Sequence, residues 1–370
     1  MKSYYRCVSA AFLVFALLLT NNLTSQTKEQ MKFVSADSLM IIGNGFEQSH
    51  EIYGRLPLSL KNEFRKELLS LGGNSAGLAV RFNSNSTAIS VKWTVKNDFR
   101  MNHMPDTGIK GIDLYVMEGG KWQYAGTARP SGKESFAVVI KNMLTQNREY
   151  IAYFPLYDGV ESVQIGVDSS AVIRGPQNNR LTKRADRKPI VFYGTSITQG
   201  GCASRPGMAY PAIIGRALDR ETINLGFSGN ARLDFSMAKA IALIEADAVV
   251  VDCLPNTTAQ SVKDSAYVFI SYLAEQMPGT VIYMVENPNF PTLGFNMSAQ
   301  SEINEENSAW RDIFAQLLRA GFSNVEYIRG ESLLGSDGEG TVDGVHLTDL
   351  GFFRFSQALM EYLNIFAPTH

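Results

Sequence analysis

The strongest constraint on how this chain folds is a change of period near residue 180. From Pro189 onward, short apolar runs alternate with helical stretches. Ile190-Val191-Phe192-Tyr193 leads to a helix over about 209–218, and Thr222-Ile223-Asn224-Leu225 to one over about 235–245. Ala248-Val249-Val250-Val251 precedes a helix over about 261–276, and Val281-Ile282-Tyr283-Met284-Val285 one over about 302–319. Val325-Glu326-Tyr327-Ile328 and a last helix over about 349–364 close the series. Five such strands, joined by helices, predict a parallel sheet in a three-layer α/β/α domain, because strands buried on both faces read as continuous apolar runs. In sheets of this kind the site lies outside the carboxyl ends of the strands.

Upstream the pattern is β-like. Leu78–Phe82, Ala88–Val95, Ile112–Val116, Trp122–Gly126 and Ser162–Val167 alternate in polarity or carry β-branched and aromatic residues, with turns rich in Gly, Asn and Ser between them. Short strands at this spacing predict an all-β sandwich of jelly-roll type. Arg174–Lys188 is polar and reads as a linker. The expected organisation is therefore a leader over 1–25, a β-sandwich domain over 26–180 and an α/β domain over 181–370.

The leader follows from Lys2 and Arg6 ahead of the apolar run Ala10–Leu19, which polar Thr20-Asn21-Asn22 ends. That is a signal-peptide pattern, too short to span a bilayer, so export to the periplasm or exterior is expected, with cleavage between about Thr20 and Gln30 and no stable membrane insertion afterwards. Cys7 precedes the apolar run and leaves with it. Cys202 and Cys253 remain, and two readings of them stay open: a disulfide permitted by an oxidising compartment, or two buried thiols. With 34 basic against 36 acidic residues the chain has no broad field to attract nucleic acid. The sequence sets no oligomeric state.

Chemistry is concentrated in two segments. Gly194-Thr195-Ser196-Ile197 follows the first α/β strand, and Asp343-Gly344-Val345-His346 precedes the last helix. A serine hydroxyl becomes a nucleophile when an imidazole takes its proton and a carboxylate fixes that ring. Of four histidines, His50 and His103 lie in the β-rich half and His370 is the last residue, which leaves His346 as the base. No H-x-x-x-H or cysteine cluster supplies metal ligands at short spacing, so neither metal nor cofactor is expected.

Four ordered blocks together resemble the SGNH hydrolases, or GDSL esterases, whose fold is flavodoxin-like. They are Tyr193–Gly200 with Ser196, Asn224–Asn230 with Gly229, Pro255-Asn256-Thr257, and Asp343–His346. The resemblance implies Ser196 as nucleophile, with Asp343 and His346 completing a triad. It also implies an oxyanion hole built from the N–H groups of Ser196 and Gly229 and the side-chain amide of Asn256. Thr195 departs from the family's aspartate, and Leu254-Pro255-Asn256-Thr257 from its G-x-N-D. Taken singly each block has a plainer reading: a turn, a helix cap, or in Asn256-Thr257-Thr258 a glycosylation sequon. Their order carries the inference. The N-terminal half resembles the small sandwich domains that precede such catalytic domains in exported bacterial esterases, on Tyr53-Gly54-Arg55-Leu56-Pro57 and Gly77–Phe82.

The expected activity is hydrolysis of short acyl esters, acetyl foremost, on a small-molecule or polysaccharide substrate. A lipase, thioesterase or lysophospholipase and a non-catalytic carbohydrate-binding protein are the alternatives. Trp93, Phe99, Trp122 and Tyr124 are candidates for stacking on sugar rings or, as strand aromatics, for the sandwich core. The segment Glu286–Asn296 is expected to shape the acyl or leaving-group pocket. Arg205 and Arg232 are either contacts for an acidic sugar or solvated surface charges.

Overall fold

The computed structural model describes residues 31–176 and 187–366; the leader, the centre of the linker and His370 lie outside them. The first half is a sandwich of two antiparallel sheets. One has the order β1-β9-β4-β7 and the other β10-β3-β8-β5-β6, with β2 pairing β3. The strands are β1 (Met31–Ser35), β2 (Met40–Ile42), β3 (Ala79–Ser84), β4 (Ile89–Val95), β5 (Ile112–Glu118), β6 (Lys121–Ala128), β7 (Glu134–Ile140), β8 (Arg148–Tyr153), β9 (Val160–Asp168) and β10 (Ile173–Arg174). Inward-facing Val80, Phe82, Val91, Trp93, Leu114, Ala152 and Ile165 fill the space between the sheets, as alternation along half-buried strands requires.

The second half is a five-stranded parallel sheet. Its strands are β11 (Ile190–Gly194), β12 (Thr222–Gly226), β13 (Ala248–Asp252), β14 (Val281–Val285) and β15 (Val325–Ile328), in the order β12-β11-β13-β14-β15. That is the flavodoxin-like order, in which chain direction across the sheet reverses beside β11. Helices Phe235–Ala242, Ala259–Gln276 and Met297–Arg319 cover one face, and Tyr210–Leu218 and Asp349–Leu363 the other. All five expected strands and helices are present. The helix expected from about 302 begins at Met297 because the side chain of Asn296 accepts from the Ala299 N–H and caps it there.

The two halves share a continuous interface. Asp113 on β5 is fully buried and accepts from Arg205 (2.6 Å) and the Gly207 N–H (3.0 Å), while Arg205 also donates to the Tyr115 hydroxyl (2.5 Å). Its guanidinium lies 4.1 Å from the Tyr124 ring centroid. Arg205 is thus a brace between domains rather than a free charge. Trp93 is a core residue whose indole N–H donates to the Lys110 carbonyl. No described helix is long and apolar enough to cross a membrane.

Candidate active site

Strand β11 ends at Gly194 and runs directly into the short helix Ser196–Gln199. The Thr195 hydroxyl accepts from the Ile197 N–H (3.2 Å) and caps that helix. A threonine therefore does the capping that an aspartate would do at the same place, which accounts for the departure from G-D-S-L. Ser196 is the first helical residue and only 6% exposed.

At the other end of the chain, Asp343 and His346 sit in a turn ahead of the last helix. One Asp343 oxygen accepts from the backbone N–H groups of Val345 (3.1 Å) and His346 (2.8 Å), and the other lies 2.7 Å from His346 Nδ1. Partial burial pushes this carboxyl up, but the hydrogen bonds from the His346 side chain and backbone outweigh it and hold the group at about 2. With Asp343 ionised, Nδ1 carries the ring proton and Nε2 is left to accept from Ser196 Oγ, 2.9 Å away. Ser196, His346 and Asp343, 150 residues apart in sequence at their extremes, form one connected relay.

The loop after β12 stands beside Ser196. Its Phe227 N–H donates to the Gly194 carbonyl (2.8 Å) and its Ser228 N–H to the buried Gln199 side chain (3.0 Å). A Cβ at residue 226 would lie 2.1 Å from the Gln199 nitrogen, so only glycine permits this approach of strand end to the helix of Ser196. Gly229 has φ +69, in the left-handed region that glycine enters without cost. Asn256 ends the 3-10 turn Leu254–Asn256 after β13, and its amide oxygen accepts from the Ala231 N–H (3.4 Å). That bond fixes the amide by its oxygen and leaves the NH2 group for a ligand.

Arg55, quoted above only for the resemblance, underlies this loop. Its buried guanidinium donates to the carbonyls of Asn224 (3.0 Å) and Gly226 (2.7 Å) on β12, and to those of Asn74 (2.8 Å) and Leu71 (2.8 Å) from the sandwich half. Burial pulls its pKa down to about 9, which leaves it charged at neutral pH. Tyr157 is also buried and donates to the Ser196 carbonyl (3.3 Å). Neither contact is readable from sequence spacing.

Of the two readings left open for Cys202 and Cys253, the structure has the second: both are buried free thiols. Cys253 packs with the helices on one face of the parallel sheet and Cys202 with those on the other, so the sheet stands between them. Glu286–Asn296 does reach the turn of Asp343 and His346, since the Thr292 methyl lies 2.9 Å from the position of a Cβ on Gly344. Phe290 and Leu293 point inward, whereas Phe295 is 93% exposed. Arg232 is exposed and donates to the Gly229 carbonyl (3.1 Å). A cleft of about 750 Å³ opens beside Ser228 and Asn230, and its other lining residues come from the sandwich half, among them Asn74, Asn97, Phe99, Met101 and Tyr157.

The sequence pattern of the GDSL-like lipase/acylhydrolase family matches residues 187–364, and that of the N-terminus of SGNH-hydro-type esterases, named GxDLY, matches residues 31–173. A GDSL-like lipase from Bacteroides ovatus superimposes with a TM-score of 0.86 at 35% identity, covering 91% of this chain and 98% of that one. The chain belongs to the GDSL-like lipase/acylhydrolase family. It is an ester-hydrolysing enzyme, and the fold class expected from the sequence is the one observed. The letters GxDLY fall here on Gly111-Ile112-Asp113-Leu114-Tyr115, which places the clasp on Arg205 inside that signature. The fold is shared further, at 15% identity and TM-score 0.71, with a salicylyl-acyltransferase from a tetracycline biosynthetic pathway, covering 90% of this chain and 97% of that one. A family two carbohydrate esterase from Clostridium thermocellum, solved with cellohexaose, matches at 14% identity and TM-score 0.57, over 78% and 92% of the two chains. No curated protein matches by sequence.

Proposed function

We propose that this esterase is exported and removes short acyl groups, acetyl foremost, from carbohydrates through an acyl-enzyme on Ser196. The relay of 2.9 and 2.7 Å from Ser196 through His346 to Asp343 carries the proposal. His346 Nε2 takes the Ser196 proton as Oγ attacks the ester carbonyl, and Asp343 offsets the positive charge that the ring acquires. The carbonyl oxygen becomes an oxyanion facing the N–H groups of Ser196 and Gly229 and the Asn256 amide, donors placed before the charge appears. His346 returns the proton to the leaving alkoxide, and water repeats the cycle on the acyl group.

The carbohydrate assignment is supported by the cleft beside the oxyanion loop. Amides of Asn74, Asn97 and Asn230 suit hydroxyl-rich ligands, and Phe99, 38% exposed, offers a ring face for stacking. Export is supported by the charged and apolar N-terminal pattern, which lies outside the described residues. A longer acyl chain is the competing reading, favoured by exposed Phe295, at the end of the loop that leans on the triad turn, and exposed Met297 at the start of the helix that follows.

Hydrolysis of p-nitrophenyl acetate, butyrate and octanoate by the mature enzyme and its Ser196→Ala variant tests the proposal, followed by acetate release from acetylated xylo- and cello-oligosaccharides. Acetate is expected to be the best of the three, with activity falling on the order of 10⁴-fold in the variant. Preference for octanoate would overturn the short-acyl assignment. Activity that survives Ser196→Ala would overturn the nucleophile.

A further inference from the structure

His103 enters the sequence as an isolated histidine of the β-rich half, yet the fold carries its ring to within 5.5 Å of the His346 ring, centroid to centroid. Cys202, six residues beyond the nucleophile, joins them: one ligand atom from each of His103, Cys202 and His346 lies within 4.8 Å of the other two. We propose that these three side chains form a binding site for a thiophilic divalent cation, Zn²⁺ foremost, which switches the esterase off by taking its base. The regulatory part of this proposal rests on the reading of His346 as that base; the binding part does not.

Four observations converge on the site. Two imidazoles and one thiolate are a borderline-soft donor set that suits Zn²⁺ and Co²⁺ and does not suit Mg²⁺ or Ca²⁺. Both rings present the same nitrogen, because His346 Nδ1 is held by Asp343 (2.7 Å) and His103 Nδ1 faces the side-chain oxygen of Asn102 (3.0 Å). Nε2 is therefore free on His103, while on His346 it is shared only with Ser196 Oγ. A carboxylate behind a ligating histidine is also the usual outer-shell partner of bound zinc. Finally, Cys202 is a non-glycine residue at φ +73 with an unbonded thiol, so its position is set by the backbone rather than by a disulfide.

The spacing needs only a small closure. Bond lengths of about 2.0–2.1 Å to nitrogen and 2.3 Å to sulfur place tetrahedral ligands roughly 3.3–3.6 Å apart, so the three must draw together by about 1 Å. His103 is the member able to move, since it lies in the exposed bend between Met101 and Pro105. The metal takes Cys202 as thiolate, so binding expels the thiol proton to solvent. Occupation of His346 Nε2 breaks its bond to Ser196 Oγ, and the hydroxyl loses its proton acceptor.

The test pairs an optical readout with an activity readout on the mature chain, wild type and with Cys202→Ser or His103→Asn. Co²⁺ is titrated while thiolate-to-metal charge-transfer absorption is followed, and Zn²⁺ is titrated while p-nitrophenyl acetate hydrolysis is followed, then reversed with EDTA. Expected are one Co²⁺ per chain with a charge-transfer band, loss of that band in Cys202→Ser, and Zn²⁺ inhibition weakened about 10–100-fold in either variant. Circular dichroism checks that each variant is folded. No charge-transfer band in the wild type, or equal Zn²⁺ inhibition in all three proteins, would overturn the site. A His346→Asn variant that still hydrolyses ester would remove the base reading alone, because the cobalt spectrum reports binding without it.

Discussion

The two halves of the proposed catalytic centre are built by opposite means. Asp343 and His346 form a local turn near the surface: three residues apart, they bond to each other through both backbone and side chain. Ser196, Gly229 and Asn256 instead depend on partners far away in the chain, with Gln199 and Arg55 buried beneath them and Arg55 reaching in from the other domain. A local turn keeps its geometry when its surroundings change. A loop held from below passes disturbance in the sandwich domain to the segment that carries Gly229. The comparison suggests that the sandwich domain acts on catalysis through the nucleophile half.

Asp343→Asn gives the largest separation of activity from stability. Activity on acetate is expected to fall on the order of 10⁴-fold, since the amide no longer fixes the productive tautomer. The turn retains an oxygen for the Val345 and His346 N–H groups, and this part-exposed position shifts unfolding by less than about 1 kcal/mol. Kinetics and thermal melting of one preparation check both. On the other half, the proposed oxyanion hole requires Asn256→Ala to lower kcat about 100-fold with a smaller change in KM, because a donor of that kind acts on charge that exists only in the transition state. An equal loss through KM would mean that Asn256 binds ground-state substrate instead.

Arg55→Met reverses the pattern. It removes four hydrogen bonds from a buried guanidinium to backbone carbonyls of both halves, for an expected loss of roughly 2–4 kcal/mol in stability. The loosened β12 loop is expected to cost only about 10-fold in kcat. Chemical denaturation, with the slope checked for a change in cooperativity, reads the first effect. If stability falls and kcat does not, the sandwich domain supports the fold without supporting the oxyanion hole.

The same contrast explains what was legible in the sequence. The parallel strands announced themselves because both faces are buried, and Asp343–His346 because its two members share a turn. Ser196 was legible from its place after β11. Arg55, Tyr157 and His103 were not, because each acts across the domain interface and sequence separation carries no trace of that contact. The choice between a bridge and two thiols stayed open for a related reason: both cysteines follow strands of one sheet, and sequence does not show that Cys253 packs into one helical layer and Cys202 into the other. Of the sandwich, β1, β2, β7, β8 and β10 were missed, and the helix Lys66–Gly72, too short to show a period, was missed as well.

The smallest expected effect on turnover concerns Asp252, at the carboxyl end of β13 and fully buried. It accepts from the Tyr210 hydroxyl (3.1 Å) and the Thr198 hydroxyl (3.2 Å), the latter from the nucleophile helix. Burial pushes this carboxyl up to about 7, and the two hydroxyls only partly offset the rise. Between its unfolded value near 4 and its folded value near 7 the native state binds the extra proton. Stability from this group is therefore present below about pH 4 and declines as pH rises toward 7. Asp252→Asn keeps an acceptor for both hydroxyls and has no charge to bury, so it is expected to flatten that decline and to raise stability by roughly 1–3 kcal/mol at pH 8. Turnover on acetate should change less than about threefold, since Thr198 belongs to the helix of Ser196 but its hydroxyl turns to Asp252 and Tyr210. Melting curves from pH 4 to 8 decide it: parallel curves for the two proteins would mean that Asp252 titrates in its ordinary range, and that the nucleophile helix rests on a charged rather than a protonated carboxyl.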